Sequence, residues 1–201
     1  MYLTDPAGGQ ARKLIDFEKG GSIYGWTVDG NSIVYFQAAG NRWFLFDLKT
    51  GKEQEMISHP KLDVHGAEPS PDMKWVAFHL PAVANSAVKV APLRNGHAGG
   101  ESEWITVAEY PGRSNRVWWS PNGNLLYFFS MKDGFPDIWA QRLHPVTRRP
   151  VGEAFDVYHF HERRRAPNLD WGTFGPAIGR NQITFSLQEQ SGNIWIAEQT
   201  Q

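Results

Sequence analysis

Two histidines stand one residue apart in His159-Phe160-His161. In a strand, side chains two apart point to the same side, so both imidazoles can present nitrogen to one metal ion. A stable site needs a third or fourth ligand, and Glu162 and Asp170 are the carboxylates that follow. The plainer reading ends a strand at His159, begins a loop at His161 and bonds each ring to backbone. It is preferred, so no metal ligand and no cofactor is expected. Arg163-Arg164-Arg165, with Arg148-Arg149, forms a basic patch in a chain of net charge −1. Guanidinium forks bind phosphate or carboxylate bidentately. Solvated loop charge, or pairing with Glu162 and Asp170, is the simpler account. The sequence holds no Gly-x-Ser-x-Gly elbow, no phosphate-binding Gly-x-x-x-x-Gly-Lys-Ser/Thr loop and no His-Glu-x-x-His helix. Intrinsic catalysis is not expected.

These residues hang on a repeated scaffold. Val28-Asp29-Gly30-Asn31, Ser70-Pro71-Asp72-Met73, Ser120-Pro121-Asn122-Gly123 and the degenerate Gly179-Arg180-Asn181 each run into a short apolar strand. The anchors Asp29, Asp72, Asn122 and Gly179 lie 43, 50 and 57 residues apart. That period suits a four-stranded propeller blade. Asp29, Asp72 and Asn122 can accept bonds from the N–H groups that follow, which makes them turn builders and not catalytic carboxylates. A second recurring run reads Trp43–Leu48, Val88–Leu93, Ile138–Leu143 and Ile194–Ala197. First strands are expected at Ile23–Trp26, His65–Glu68, Arg116–Trp119 and Gly175–Ile178, and fourth strands at Gln54–Ile57, Trp104–Val107 and Phe155–Tyr158. Pro81–Ser86, Arg94–Glu101 and His161–Gly172 read as loops, the second as a solvent excursion. Trp139 and Trp195 hold equivalent positions, as packing residues do in repeats.

Bulk properties narrow the partners. A near-neutral chain has no field to hold nucleic acid or a membrane surface. No run approaches the roughly 18 apolar residues of a spanning helix. Asp5, Gly8, Gly9 and Gln10 interrupt any signal-peptide core, so this stretch carries no address and the compartment stays undetermined. With no cysteine, disulfides and thiolate chemistry are excluded. Nine Trp and twelve Phe suit the space between stacked sheets.

Trp119-Ser120-Pro121-Asn122-Gly123-Asn124-Leu125-Leu126-Tyr127-Phe128, followed by Asp137-Ile138-Trp139-Ala140, resembles the TolB-like, WD-like β-propeller repeat. The family writes Ser-Pro-Asp-Gly; here Met73 replaces Gly, Asn122 replaces Asp and Val28 replaces Pro. Glu103-Trp104-Ile105, Pro150-Val151-Gly152, Val157–His161 and Gly192–Ala197 look like the C-terminal propeller of bacterial multidomain proteins. There the propeller often follows a kinase or a winged-helix domain. The resemblance implies a non-catalytic sensing or binding module, an extracytoplasmic setting, and a protein or peptide partner or a small ligand in the axial funnel. Such propellers also accompany prolyl-oligopeptidase-like serine hydrolases, which is the alternative reading.

The expected fold is all-β. One propeller domain fills residues 1–201, with units at about 1–16 (outer strands only), 17–58, 59–108, 109–159 and 160–201. About four blades of four strands are expected, forming part of a ring of six to eight. An open arc leaves apolar faces and strand edges wet, which favours a longer chain. Loops entering the first strands and loops joining second to third strands gather on one face. On it fall Asp63, His65, Arg113, Asn115, Lys132, Asp133, His161 and Arg163, the expected ligand-binding residues. Tyr24 or Trp118 reaches the funnel, according to a register that a one-residue slip reverses.

Overall fold

The computed structural model describes residues 1–17, 20–82, 85–111, 116–135, 137–160, 165–167 and 176–189. Strands β1 (Tyr2–Leu3) and β2 (Arg12–Lys13) form a short antiparallel pair. β3 (Gly21–Trp26), β4 (Ser32–Gln37), β5 (Arg42–Asp47) and β6 (Glu53–Ser58) form the first four-stranded sheet, in sequence order. β7 (His65–Pro69), β8 (Trp75–Leu80) and β9 (Asn85–Arg94) lead the second. Its β9 pairs on the other side with both β10 (His97–Ala98) and β11 (Ile105–Pro111). The third sheet runs β12 (Val117–Trp119), β13 (Leu125–Ser130), β14 (Asp137–Arg142) and β15 (Phe155–Tyr158). Two further pairs follow: β16 (Arg165–Pro167) with β19 (Leu187–Glu189), and β17 (Ala177–Ile178) with β18 (Ile183–Thr184). A short 3-10 turn at Glu101–Glu103 precedes β11. Among the described residues no helix is long and apolar enough to cross a membrane.

Strand alternation turns the three large sheets into a stack. In β5, Trp43 and Leu45 point one way, and Phe44 and Phe46 the other. The first pair joins Val64, which leads into β7, and Val76 and Phe78 of the second sheet. The second pair, with Ile33 and Tyr35, is covered by Ile15, Met1, Leu14 and Phe17 of the N-terminal segment. The same division recurs in β13. There Leu126 and Phe128 face Ala77, Val88 and Val90, while Phe129 and Tyr127 join Phe160, Ile178 and Phe185. Each sheet is therefore apolar on both faces, which is why its strands read as continuous hydrophobic runs.

The connecting turns repeat atom for atom. The Thr27, Ser70 and Ser120 hydroxyls donate to the side chain two residues on, Asp29, Asp72 and Asn122, at 2.6, 2.6 and 2.7 Å. Those side chains accept the N–H groups of Asn31, Lys74 and Asn124 at 3.1, 3.2 and 3.1 Å. The hydroxyls in turn accept from Ser32, Trp75 and Leu125 N–H. The residue after each anchor is left-handed: Gly30 at φ 71°, Met73 at φ 55° and Gly123 at φ 70°. Met73 thus occupies a conformation that glycine takes without cost.

Two expectations change. The Arg94–Glu101 stretch, exposed at Arg94, Asn95, His97, Gly100 and Glu101 as expected, is not only a solvent excursion. It folds back as β10, accepts a bond from the Gln54 side chain at the Asn95 carbonyl, and meets His59 through Glu101 at 3.1 Å. It straps the second sheet to the edge of the first. Arg148 is not solvated loop charge either. Its side chain is 5% exposed; it donates to the Gly123 carbonyl at 2.6 Å and to Asp72 at 3.2 Å. It ties the turn of the second sheet to the turn of the third. Burial alone would raise the Asp72 pKa. Bonds from Ser70 and Lys74 N–H, with the Arg148 charge, hold it below the ordinary value.

Candidate functional site

The innermost strands meet around a cavity of about 400 Å³. β3 contributes Tyr24, Gly25 and Trp26; β7 contributes Ala67, Glu68 and Pro69. Trp118 comes from β12, Arg116 from the position just before it, and Ala177 from β17. Two of these strands break step at the cavity. The β3–β4 register shifts between Ile23 and Gly25, leaving Tyr24 on the bulge. The β7–β8 register shifts between His65 and Glu68, where Gly66 has φ 57°. A bulge adds a residue to one strand and re-aims the side chains beside it.

Tyr24 meets Trp43 edge to face at 4.4 Å between ring centres. On its other side the Arg116 guanidinium lies 4.5 Å from the Tyr24 ring centre and donates to the Tyr24 carbonyl at 2.8 Å. Arg116 thereby links the third sheet to the first across the cavity. Burial raises the Tyr24 pKa, and the Arg116 charge opposes that. Trp118 is buried against Phe129, whereas Trp26 is 55% exposed at the cavity lining. Register alone therefore does not choose between Tyr24 and Trp118, since both line the cavity.

Glu68 is half-buried at the second sheet's contribution to this lining. Its carbonyl accepts the Trp119 indole N–H at 3.0 Å, fixing the strand against the third sheet. Burial pushes its carboxyl up to about 7; the Arg116 charge and the Trp119 backbone N–H oppose this only in part. Among the described residues it has no ion-pair partner within 4.0 Å.

Four residues of the expected binding face are described. Asp63 pairs with His65 at 2.8 Å and accepts from the Asn41 amide of the preceding sheet. The Lys132 ammonium sits 5.0 Å over the Trp139 ring. Asp133 pairs with His159 at 3.0 Å. None of Asp63, His65, Lys132 and Asp133 lines the axial cavity. Arg113, Asn115, His161 and Arg163 lie outside the described residues, as do Glu162, Asp170 and Trp195. The carboxylates that meet His159 are ones the linear pattern does not show. Its Nδ1 lies 2.6 Å from Asp137 and 3.0 Å from Asp133, and its Nε2 3.2 Å from Asp156. Asp137, Asp133 and His159 offer donor atoms within 4.8 Å of one another. The bond to Asp137 raises the His159 pKa, aided by the Asp156 and Asp133 charges, against some desolvation. Asp137 also accepts Phe160 N–H at 2.7 Å. The group is bonded within itself and holds the end of β15 to the start of β14.

No protein-family model matches this chain, and no curated protein matches it. Solved structures do. TolB from Acinetobacter baumannii superposes with a TM-score of 0.65 at 19% identity, over 94% of this chain and 45% of that one. The fold is a TolB-like β-propeller. The three large sheets are blades of that propeller, and the cavity lies where their innermost strands converge. The chain spans less than half the length of that TolB. The Pyrococcus horikoshii acylaminoacyl peptidase superposes with a TM-score of 0.49 at 12% identity, over 79% of this chain and 27% of its own.

Proposed function

We propose that this propeller is a non-catalytic binding module that takes a peptide segment or small ligand in its axial cavity, as the interaction part of a larger bacterial protein. One observation carries the reading. Three blades place a carboxylate, a guanidinium and three aromatic rings around one concavity of about 400 Å³. Ligand sites take this form: mostly apolar walls with a few convergent polar groups. The peripheral groups at Asp63–His65 and Asp133–His159 are already occupied by each other.

Gly25 gives the test. A Cβ added there meets nothing within 4 Å, so a side chain can start from this position into open space beside the cavity. Titration with a panel of short synthetic peptides and small metabolites, read by tryptophan emission, should report on Trp26. Gly25→Leu should abolish the response while leaving the melting temperature within a few degrees. Saturable binding that Gly25→Leu leaves unchanged would remove the axial reading.

A further inference from the structure

We infer that the axial site selects an organic cation, an alkylammonium or guanidinium group, with Glu68 as its counter-ion and the Trp26 and Trp118 rings as its walls. The inference rests on the proposed axial reading and names the chemistry of its ligand.

The two charged residues of the cavity are not in the same condition. Arg116 is committed, lying over the Tyr24 ring and bonding the Tyr24 carbonyl. Its charge is delocalised against a π face and fixed in place, as part of the wall. Glu68 carries the only carboxylate among the described residues that line the cavity, and no cationic nitrogen of those residues comes within 4.0 Å of it. A partly desolvated carboxylate without an ion-pair partner favours a cation over a neutral or anionic guest, because the desolvation cost has already been met in the free protein.

Aromatic faces supply the second half of the recognition. A cation over the face of a tryptophan is attracted by the ring quadrupole, most strongly where water is excluded. The cavity uses Tyr24 in this way already, toward Arg116. Trp118 is 6% exposed and Trp26 55% exposed, one ring in the wall and one toward solvent. The remaining lining includes Ala67, Pro69, Val34 and Ala177, apolar groups suited to a methylene chain. Tyr24 and Arg116 are the titratable and charged groups that line the cavity beside Glu68, and the Arg116 charge favours the ionised form of Glu68 against its burial.

The cation has two possible sources: a free small amine, or the basic side chain of a bound peptide. The experiment uses the whole chain and reads tryptophan emission. One arm titrates n-butylammonium, tetramethylammonium and methylguanidinium against butanol and butyrate. A second titrates acetyl-Gly-Lys-Gly-amide and its Arg counterpart against the Nε-acetyl-lysine and citrulline versions. Cations should bind at least ten-fold more tightly than their neutral isosteres, and Glu68→Gln should remove that preference. Success in the second arm alone assigns the cation to a peptide. Affinity should rise several-fold between pH 6 and pH 8 as Glu68 ionises. This pH series needs no variant and keeps the test open should Glu68→Gln unfold. Ligands that bind regardless of charge, are blocked by Gly25→Leu and ignore Glu68→Gln would overturn the cation inference and leave the axial site standing. Binding indifferent to Gly25→Leu, or none in either arm, would overturn both.

Discussion

Asp137 and Glu68 are two acids withdrawn from water in one small protein, with opposite arrangements around them. The Asp137 side chain is 1% exposed, and its two oxygens meet His159 at 2.6 Å and Phe160 N–H at 2.7 Å. Asp133 and Asp156 complete the surroundings of the same imidazole. Glu68 is half-buried beside a cavity, bonded by the Trp119 N–H and opposed by the Arg116 charge, with no ion pair within 4.0 Å among the described residues. A buried carboxylate whose charge is paired within the fold joins strands together. One whose charge is not paired costs stability and stays available to something that arrives later. The comparison separates scaffold from site without any appeal to the residue type.

The largest expected effect breaks the scaffold side. Asp137→Ala orphans the Phe160 N–H and removes the counter-charge of His159. It should cost about 3 kcal/mol, a fall of roughly 6–12 °C in melting temperature for a chain of this size. Asp137→Asn keeps an acceptor for the backbone bond and should lose about half as much. A change under one degree for Asp137→Ala would show that the cluster is surface decoration. Arg148→Ala comes next. It removes the buried guanidinium that joins Asp72 to the Gly123 carbonyl, at a cost of about 2 kcal/mol by denaturant unfolding.

Much of the scaffold is legible in sequence, and of the candidate site only Tyr24 and Trp118 are. Turns read well because their chemistry is local: Asp29, Asp72 and Asn122 bond the N–H two residues away. The central strands β4, β5, β8 and β13 read well because each is apolar on both faces. Arg148 was misread because its carboxylate partner lies 76 residues off, in the neighbouring blade. The His159 ring, expected to bond backbone, meets carboxylates instead, because Asp133, Asp137 and Asp156 come from a loop and two strands that only the sheet brings together. Glu68 and Arg116 were placed on innermost strands, yet nothing local shows which side they face. The bulges at Tyr24 and near Gly66 reset the alternation where it matters. An acid at Glu68, on an inner strand where the neighbouring blades carry Tyr24 and Trp118, was the one available signal.

Glu68→Gln sharpens the site side of the comparison. It removes a group whose ionised form is disfavoured by burial in the cavity lining. At pH 8 the variant should gain about 1 kcal/mol over the parent, and near pH 3, where Glu68 is protonated in both the folded and the unfolded chain, it should gain nothing. Equal stability at both values, or a loss at pH 8, would mean that Glu68 is satisfied within the fold.

The smallest effects lie in the pH dependence, and they divide by region. Glu68 has a folded pKa near 7, above its unfolded value, so the folded protein holds its proton more tightly. Its contribution must decline as pH rises from about 4.5 to about 7 and then level off. His159 also has a raised folded pKa, but its contribution is fully present below the unfolded value near 6.5 and is lost only as pH rises beyond it. Asp29, Asp47 and Asp72 act further down, since their lowered pKa values give stability that disappears as pH falls through the acidic range. Subtracting the unfolding curve of Glu68→Gln from that of the parent should therefore isolate a slope between pH 4.5 and 7. Subtracting that of His159→Gln should isolate one above pH 6.5, smaller because the ring is 28% exposed and faces Asp133 and Asp156 across water and salt. A cation bound at the axis would lower the folded pKa of Glu68 and flatten the first slope alone. A ligand that flattened the second would be bound at the blade's edge and not at its axis.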